Sequence, residues 1–117
     1  RSDAAASALA TSPIFHGIPA DLLQALARAA MPAGYEAGEV IFHFGDEGDS
    51  MFVIMSGSVR ISLPSETGRD VILADLRPGD SFGEIALLDG LGRSAAAVAL
   101  DATTAITVAR RDVLAVL

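Results

Sequence analysis

In the stretch FGEIALLDGLGRSAA, Phe82 to Ala96, a carboxylate follows a glycine and a guanidinium comes nine positions later. Arginine offers a planar fork of donors that fits the oxygens of a phosphate or carboxylate. An ionised glutamate, by contrast, can only accept hydrogen bonds. Glu84 and Arg93 together therefore suit a ligand that carries an anionic group with a hydroxyl donor close by. Between them, GEIALLDG has the length for two helical turns, starting near Gly83 and ending near Gly90. The free N–H groups and partial positive charge at the start of such a helix favour an anion there. The plain structural alternative is an ion pair, Glu84 and Arg93 with each other or with Asp89 or Asp101.

These side chains need a scaffold, and the rest of the chain describes one. Short runs rich in Val, Ile and Phe recur about every ten residues: EVIFHF, SMFVIMSG, SVRISLP, RDVILADL, SAAAVALD and TAITVARR. Gly, Pro, Asp, Ser and Thr punctuate them, which is the signature of an all-β sandwich, roll or barrel. SVRISL alternates, with Val59, Ile61 and Leu63 on one face and Ser58, Arg60 and Ser62 on the other. MFVIM is apolar throughout and predicts a strand buried on both sides. Ahead of the strands, PADLLQALARAA predicts a helix from Pro19 to Ala30, with Leu22, Leu23 and Leu26 on one side. SPIFHGI before it predicts a short helical turn packed on the domain. The expected fold class is mainly β with flanking α: a double-stranded, jelly-roll β-roll with N-terminal helices, a short helix at GEIALLDG and the start of a C-terminal helix. Its parts are a flexible or helical lead-in at 1–12, an N-terminal helical part at 13–30, the roll at 31–109 and the helix start at 110–117.

Composition narrows the function. The 117 residues carry no lysine, eight arginines, fifteen acidic groups and a net charge of −7. Nucleic-acid binding needs clustered positive charge, so this segment is not expected to bind DNA or RNA. Apolar runs fall well short of the roughly 20 residues that span a membrane, and the first residues lack the apolar core of a secretory signal. The absence of cysteine excludes disulfides and thiolate metal sites, and fits a cytoplasmic location. The chain does not begin with Met, and RRDVLAVL ends without a C-cap signal. The expectation is an excised part of a longer protein, with a helix and a further domain beyond Leu117.

A 3′,5′-cyclic nucleotide meets the demand made by Glu84 and Arg93. Ring closure uses the 3′ and 5′ oxygens, leaving a singly charged phosphate for the guanidinium and a free ribose 2′-OH for the carboxylate. At these residues the chain resembles the phosphate-binding cassette of cyclic-nucleotide-binding domains, which occur in the bacterial catabolite activator protein, protein kinase A regulatory subunits and cyclic-nucleotide-gated channels. The resemblance runs through AGEVIFHFGDEGDSMFVIMSGSVRI and LRPGDSFGEIALL to VARRDVLAVL. It implies that Glu84 takes the ribose 2′-OH and Arg93 the exocyclic phosphate oxygens. The backbone of Gly83, Ile85 and Ala86 would line the ribose–phosphate side. Ser94 matches a position that reaches the phosphate or the purine edge, and Ile61 and Leu73 match apolar positions near the base. Two departures stand out. Gly92 replaces a proline common in eukaryotic members, and Ser94 stands where cGMP-selective members often have threonine. The second favours cAMP over cGMP.

Elsewhere the bland reading prevails. His16 and His43 are isolated and lack metal-ligand spacing. Met51, Met55, Phe42, Phe44 and Phe52 read as core. GDEGDS, Gly45 to Ser50, lacks the spacing of a calcium loop and reads as a solvated hairpin. With no nucleophile–base constellation, the chain is not expected to be an enzyme, and no cofactor is called for beyond the ligand. The function implied is a sensor that passes ligand occupancy to a C-terminal helix, which in the resemblance often mediates dimerisation. The output implied first is a bacterial transcription regulator that contacts DNA through a separate domain. The alternatives are a channel, a transporter or a patatin-like hydrolase carrying the same sensor, and a β-roll scaffold that binds no nucleotide.

Overall fold

The computed structural model describes residues 2–117; Arg1, the first residue of the expected lead-in, lies outside them. The chain opens with α1 (Ser2–Ala10), a 3-10 turn (Pro13–Phe15) and α2 (Ala20–Ala29). Strands β1 (Met31–Tyr35), β2 (Val40–Phe42), β3 (Ser50–Ser56), β4 (Val59–Leu63), β5 (Val71–Leu76) and β6 (Ser81–Phe82) follow. A short helix α3 (Glu84–Asp89) precedes β7 (Ala96–Ala99) and β8 (Thr103–Ala109), and α4 (Arg110–Val116) closes the chain. The strands pair antiparallel in two four-stranded sheets, ordered β1-β8-β3-β6 and β2-β7-β4-β5. This is the β-roll with flanking helices that the strand rhythm implied. Two strands carry no periodic signal. MPAGY forms β1 although it contains Pro32 and Gly34, because it is an edge strand that pairs with β8 alone. β6 is only two residues long.

Strand β3 explains why MFVIM is apolar at every position. Met51 and Val53 join Leu9, Phe15, Leu23, Leu26, Leu87 and Val113 in a core between sheet and helices. Phe52 and Ile54, on the opposite face, join Val59, Phe82 and Ala97 in a second core inside the roll. One strand therefore serves two hydrophobic interiors.

Three sequence expectations need correction. In β4 the simple alternation fails: Val59 and Ser62 are buried, whereas Arg60, Ile61 and Leu63 are half-buried. The register with β5 shifts between Ile61 and Ser62, which face Ala74 and Ile72, so Leu73 is an extra residue in β5. Such a bulge bends the strand and re-aims its side chains. On α2 the buried stripe is Leu23, Leu26 and Ala27, at the i, i+3, i+4 spacing of a helix face, and Leu22 is exposed at its edge. Phe44 is 54% exposed rather than core, because β2 ends at Phe42 and Phe44 lies in the following turn.

The lead-in is a structural helix. Leu9 is fully buried against the helical core and Ala5 nearly so. Leu9→Ala is expected to lower the unfolding free energy by about 3 kcal/mol, the usual cost of a buried leucine cavity. Leu22→Ala on the exposed edge of α2 should cost well under 1 kcal/mol. Urea denaturation of both variants checks the pair; equal effects would mean that α1 is not part of the folded core.

Candidate functional site

Helix α3 is set between two glycines in the left-handed region, Gly83 at φ 86° and Gly90 at φ 72°. Gly83 has a second reason to lack a side chain: a Cβ there would come within 2.7 Å of Arg93 Nη1. Arg93 itself is 4% exposed. Its backbone is clamped to the turn after β2, donating to the Asp46 carbonyl at 2.7 Å and accepting from the Gly45 N–H at 2.8 Å. That turn is no hairpin, since β2 and β3 lie in different sheets. It supports the arginine instead. A Cβ on Gly48 would collide with the Ala86 Cβ and reach 3.1 Å from Arg93 Nε, so the glycine makes room for the side chain's stem under α3.

The guanidinium has only neutral hydrogen-bond partners. Nη1 donates to the Gly83 carbonyl at 2.9 Å and Nη2 to Ser50 Oγ at a long 3.4 Å. Nε is buried and has no partner. The group lies over the Phe42 ring, 4.3 Å from its centroid, and 5.6 Å from that of Phe52, as in cation–π contacts. Phe42, Phe52 and Phe82 pack on one another, with Phe52 and Phe82 stacked at 4.9 Å. Burial pushes the arginine below its ordinary pKa, and the charges of Asp49 and Asp46 act in the opposite sense. The arginine keeps its charge all the same.

Glu84, half-buried at the start of α3, accepts a hydrogen bond at Oε2 from Ser81 Oγ at 3.1 Å. Among the described residues it makes no ion pair with Arg93. Asp89 accepts instead from the Leu91 N–H, and Asp101 from Ser58 Oγ. The ion-pair alternative is thus not what the side chains make. Glu84 and Arg93 both line one cavity of about 200 Å³. Gly83, Ile85, Ala86, Ser94 and Ile61 line it too, whereas Leu73, at the bulge in β5, is exposed and outside its walls. Its other walls are Phe42, Leu76, Ser81, Phe82 and Ala95. The arrangement is an apolar hollow with a cation, a carboxylate and two hydroxyls, suited to a flat ring joined to a sugar and an anion.

The expected residues missed part of this wall. Phe42 reads as core from its strand alone, and nothing local marks Ser81 in the wall or Gly48 against the arginine's stem behind it. Among the described residues no three or more His, Asp or Glu groups gather as a metal site, and no helix is long and apolar enough to cross a membrane.

Residues 33–117 match the family model of the cyclic nucleotide-binding domain. The cyclic AMP receptor protein of Thermus thermophilus is 37% identical over 106 residues, covering 91% of this chain and 49% of that protein. The CRP-like cAMP-activated global transcriptional regulator of Mycobacterium tuberculosis is 30% identical over 102 residues, covering 87% of this chain and 46% of the regulator. Among solved structures, cAMP-bound PfPKA-R superposes with a TM-score of 0.94 at 28% identity, over 99% of this chain and 41% of that one. The chain spans about half the length of these curated relatives. With the family model running from β1 to the end of α4, across both sheets and the whole cavity, the chain belongs to the cyclic nucleotide-binding domain family.

Proposed function

We propose that this chain is a single, cytoplasmic sensor domain that binds a cyclic mononucleotide, cAMP in preference to cGMP, and passes occupancy to α4. The observation that carries this reading is a buried guanidinium, without an acidic hydrogen-bond partner, lining the same cavity as a half-buried carboxylate. The cyclic phosphate would meet Arg93 and the N–H groups at the head of α3. The ribose 2′-OH would donate to Glu84. Ser94, an exposed lining residue, would reach the phosphate or purine edge, and Ile61, also in the lining, would meet the base. Leu73 is assigned to a base that extends past the wall to the bulge in β5. The preference for cAMP draws support from Ser94 and from the two curated relatives, whose names carry that nucleotide.

Transmission follows from packing. Leu87, on the inner face of α3, is fully buried in the same core as Val113 of α4, and Arg110 Nε donates to the Leu87 carbonyl at 2.9 Å. A ligand that orders α3 would therefore act on α4 through a shared hydrophobic core and a hydrogen bond to its first residue. A tenfold preference for one α4 arrangement would correspond to about 1.4 kcal/mol of coupling. The parent protein is proposed to be a homodimeric bacterial transcription regulator that touches DNA through another segment, with no catalytic role for this one. The names and lengths of the two curated relatives support that choice.

Arg93→Leu is expected to weaken cAMP binding by about 100-fold, the worth of charged hydrogen bonds, as read by calorimetric titration. The same variant should melt at or above the wild-type temperature, since a well-packed apolar group is no worse than a poorly paired buried charge. Wild-type affinity would overturn the assignment. Glu84→Ala should narrow the preference for cAMP over 2′-deoxy-cAMP by about tenfold; an unchanged ratio would mean that the ribose is read elsewhere. Ligand at 100 times its dissociation constant should stabilise the fold by about 2.7 kcal/mol. Absence of any thermal shift with cAMP or cGMP would favour the scaffold alternative.

A further inference from the structure

A chain of hydroxyls leads away from the carboxylate just described, toward the N-terminal helices. Ser81 Oγ donates to Glu84 Oε2 at 3.1 Å, and lies 2.9 Å from Ser12 Oγ. A serine has one hydroxyl proton. Since Ser81 gives its proton to the carboxylate, Ser12 must be the donor in the second bond, and the relay runs one way: Ser12 to Ser81 to Glu84. Ser12 is 2% exposed, so its hydroxyl has no water to fall back on. Its backbone is fixed between two helical elements, its N–H donating to Leu9 at the end of α1 and its carbonyl accepting from Phe15 in the 3-10 turn. The neighbouring Thr11 Oγ1 shares its single proton between the Ala8 carbonyl at 2.7 Å, within its own helix end, and the Gly79 carbonyl at 3.0 Å, in the loop that leads into β6. Ser81 and Glu84, together with Leu76, line both the 200 Å³ cavity and a neighbouring cleft of about 360 Å³ bounded by Thr11, Pro13 and Asp80.

We infer that Ser81 and Ser12 are positioning residues for ribose recognition: the relay holds Glu84 Oε2 from behind and leaves Oε1 to the ligand's 2′-OH, so that sugar discrimination depends on how α1 is docked. The inference rests on the proposed reading of Glu84. Two features make the relay more than packing. A carboxylate fixed through one oxygen loses rotational freedom that it would otherwise lose on binding. Hydrogen bonds in series also polarise one another, so Ser12 influences Glu84 without touching it.

The test is the ratio of cAMP to 2′-deoxy-cAMP affinities, titrated calorimetrically into the 117-residue chain and its variants. A ratio cancels changes that weaken both ligands alike, as general loosening of the fold would. Ser81→Ala should shrink the wild-type ratio by about fivefold, less than removal of the Glu84 carboxylate itself, as for loss of one hydrogen bond of about 1 kcal/mol. Ser81→Thr, which keeps a hydroxyl, should restore most of it. Ser12→Ala should shrink the ratio by about threefold, as for a bond between neutral groups. The double variant should match Ser81→Ala alone, because one path carries both effects. A ratio in Ser81→Ala equal to wild type, or full additivity of the two serines, overturns the relay. Glu84→Ala separates the two readings. If it collapses the ratio while Ser81→Ala does not, only the relay is lost; if the wild type does not discriminate the two ligands, the reading of Glu84 falls and the relay with it.

Discussion

Taking a guanidinium out of water costs several kcal/mol unless hydrogen bonds and an opposing charge replace its hydration. Arg93 is buried with one good neutral hydrogen bond, one long one, and an Nε that has none. Two aromatic faces supply part of what is missing. Much of the surrounding sequence exists to tolerate this side chain. Gly48 and Gly83 vacate the volume it passes through, the Gly45–Asp46 turn grips its backbone, and the Phe42, Phe52 and Phe82 cluster forms its bed. An incompletely paired cation at this depth is poised for an anion, because the desolvation cost has already been met by folding. The site thus trades stability for affinity, as functional positions commonly do.

Glu84 complements the cation without neutralising it. Were the two joined as an ion pair, an incoming phosphate would first have to break that pair. Instead the carboxylate is turned to a serine and the guanidinium to a carbonyl. Opposite charges are kept apart on one wall by neutral partners that leave each group with hydrogen-bonding capacity for a ligand. Membership of the cyclic nucleotide-binding family accords with this separation of roles.

Legibility in the sequence followed the range of the interactions. The stretch from Phe82 to Ala96 disclosed its helix, its capping glycines and its two charged groups, because spacing alone decides what a two-turn helix brings together. Most strands were visible for the same reason, through local apolar periodicity. What could not be seen were features that depend on distant partners. β1 looks unlike a strand and is held by β8, more than seventy residues away in its register of Met31 with Thr107. The bulge at Leu73 arises from pairing with β4, so the alternation written in SVRISL does not survive it. GDEGDS reads locally as a solvated turn, and only the fold sets Gly48 beneath Arg93. Ser12 and Ser81 are ordinary serines until sixty-nine residues of chain close between them.

The two-sided burial of β3 has a mechanical consequence. Phe52 lies under the guanidinium on one face, while Met51 and Val53, its immediate neighbours, press on the helices from the other. Side chains one position apart on a strand emerge on opposite sides of a sheet whose residues advance only about 3.4 Å each. A sideways displacement of the aromatic bed is therefore felt by the helical layer through the thickness of a single backbone. The shortest route from ligand to helices passes straight through the sheet, with the path around its rim by way of α3 as a parallel conductor.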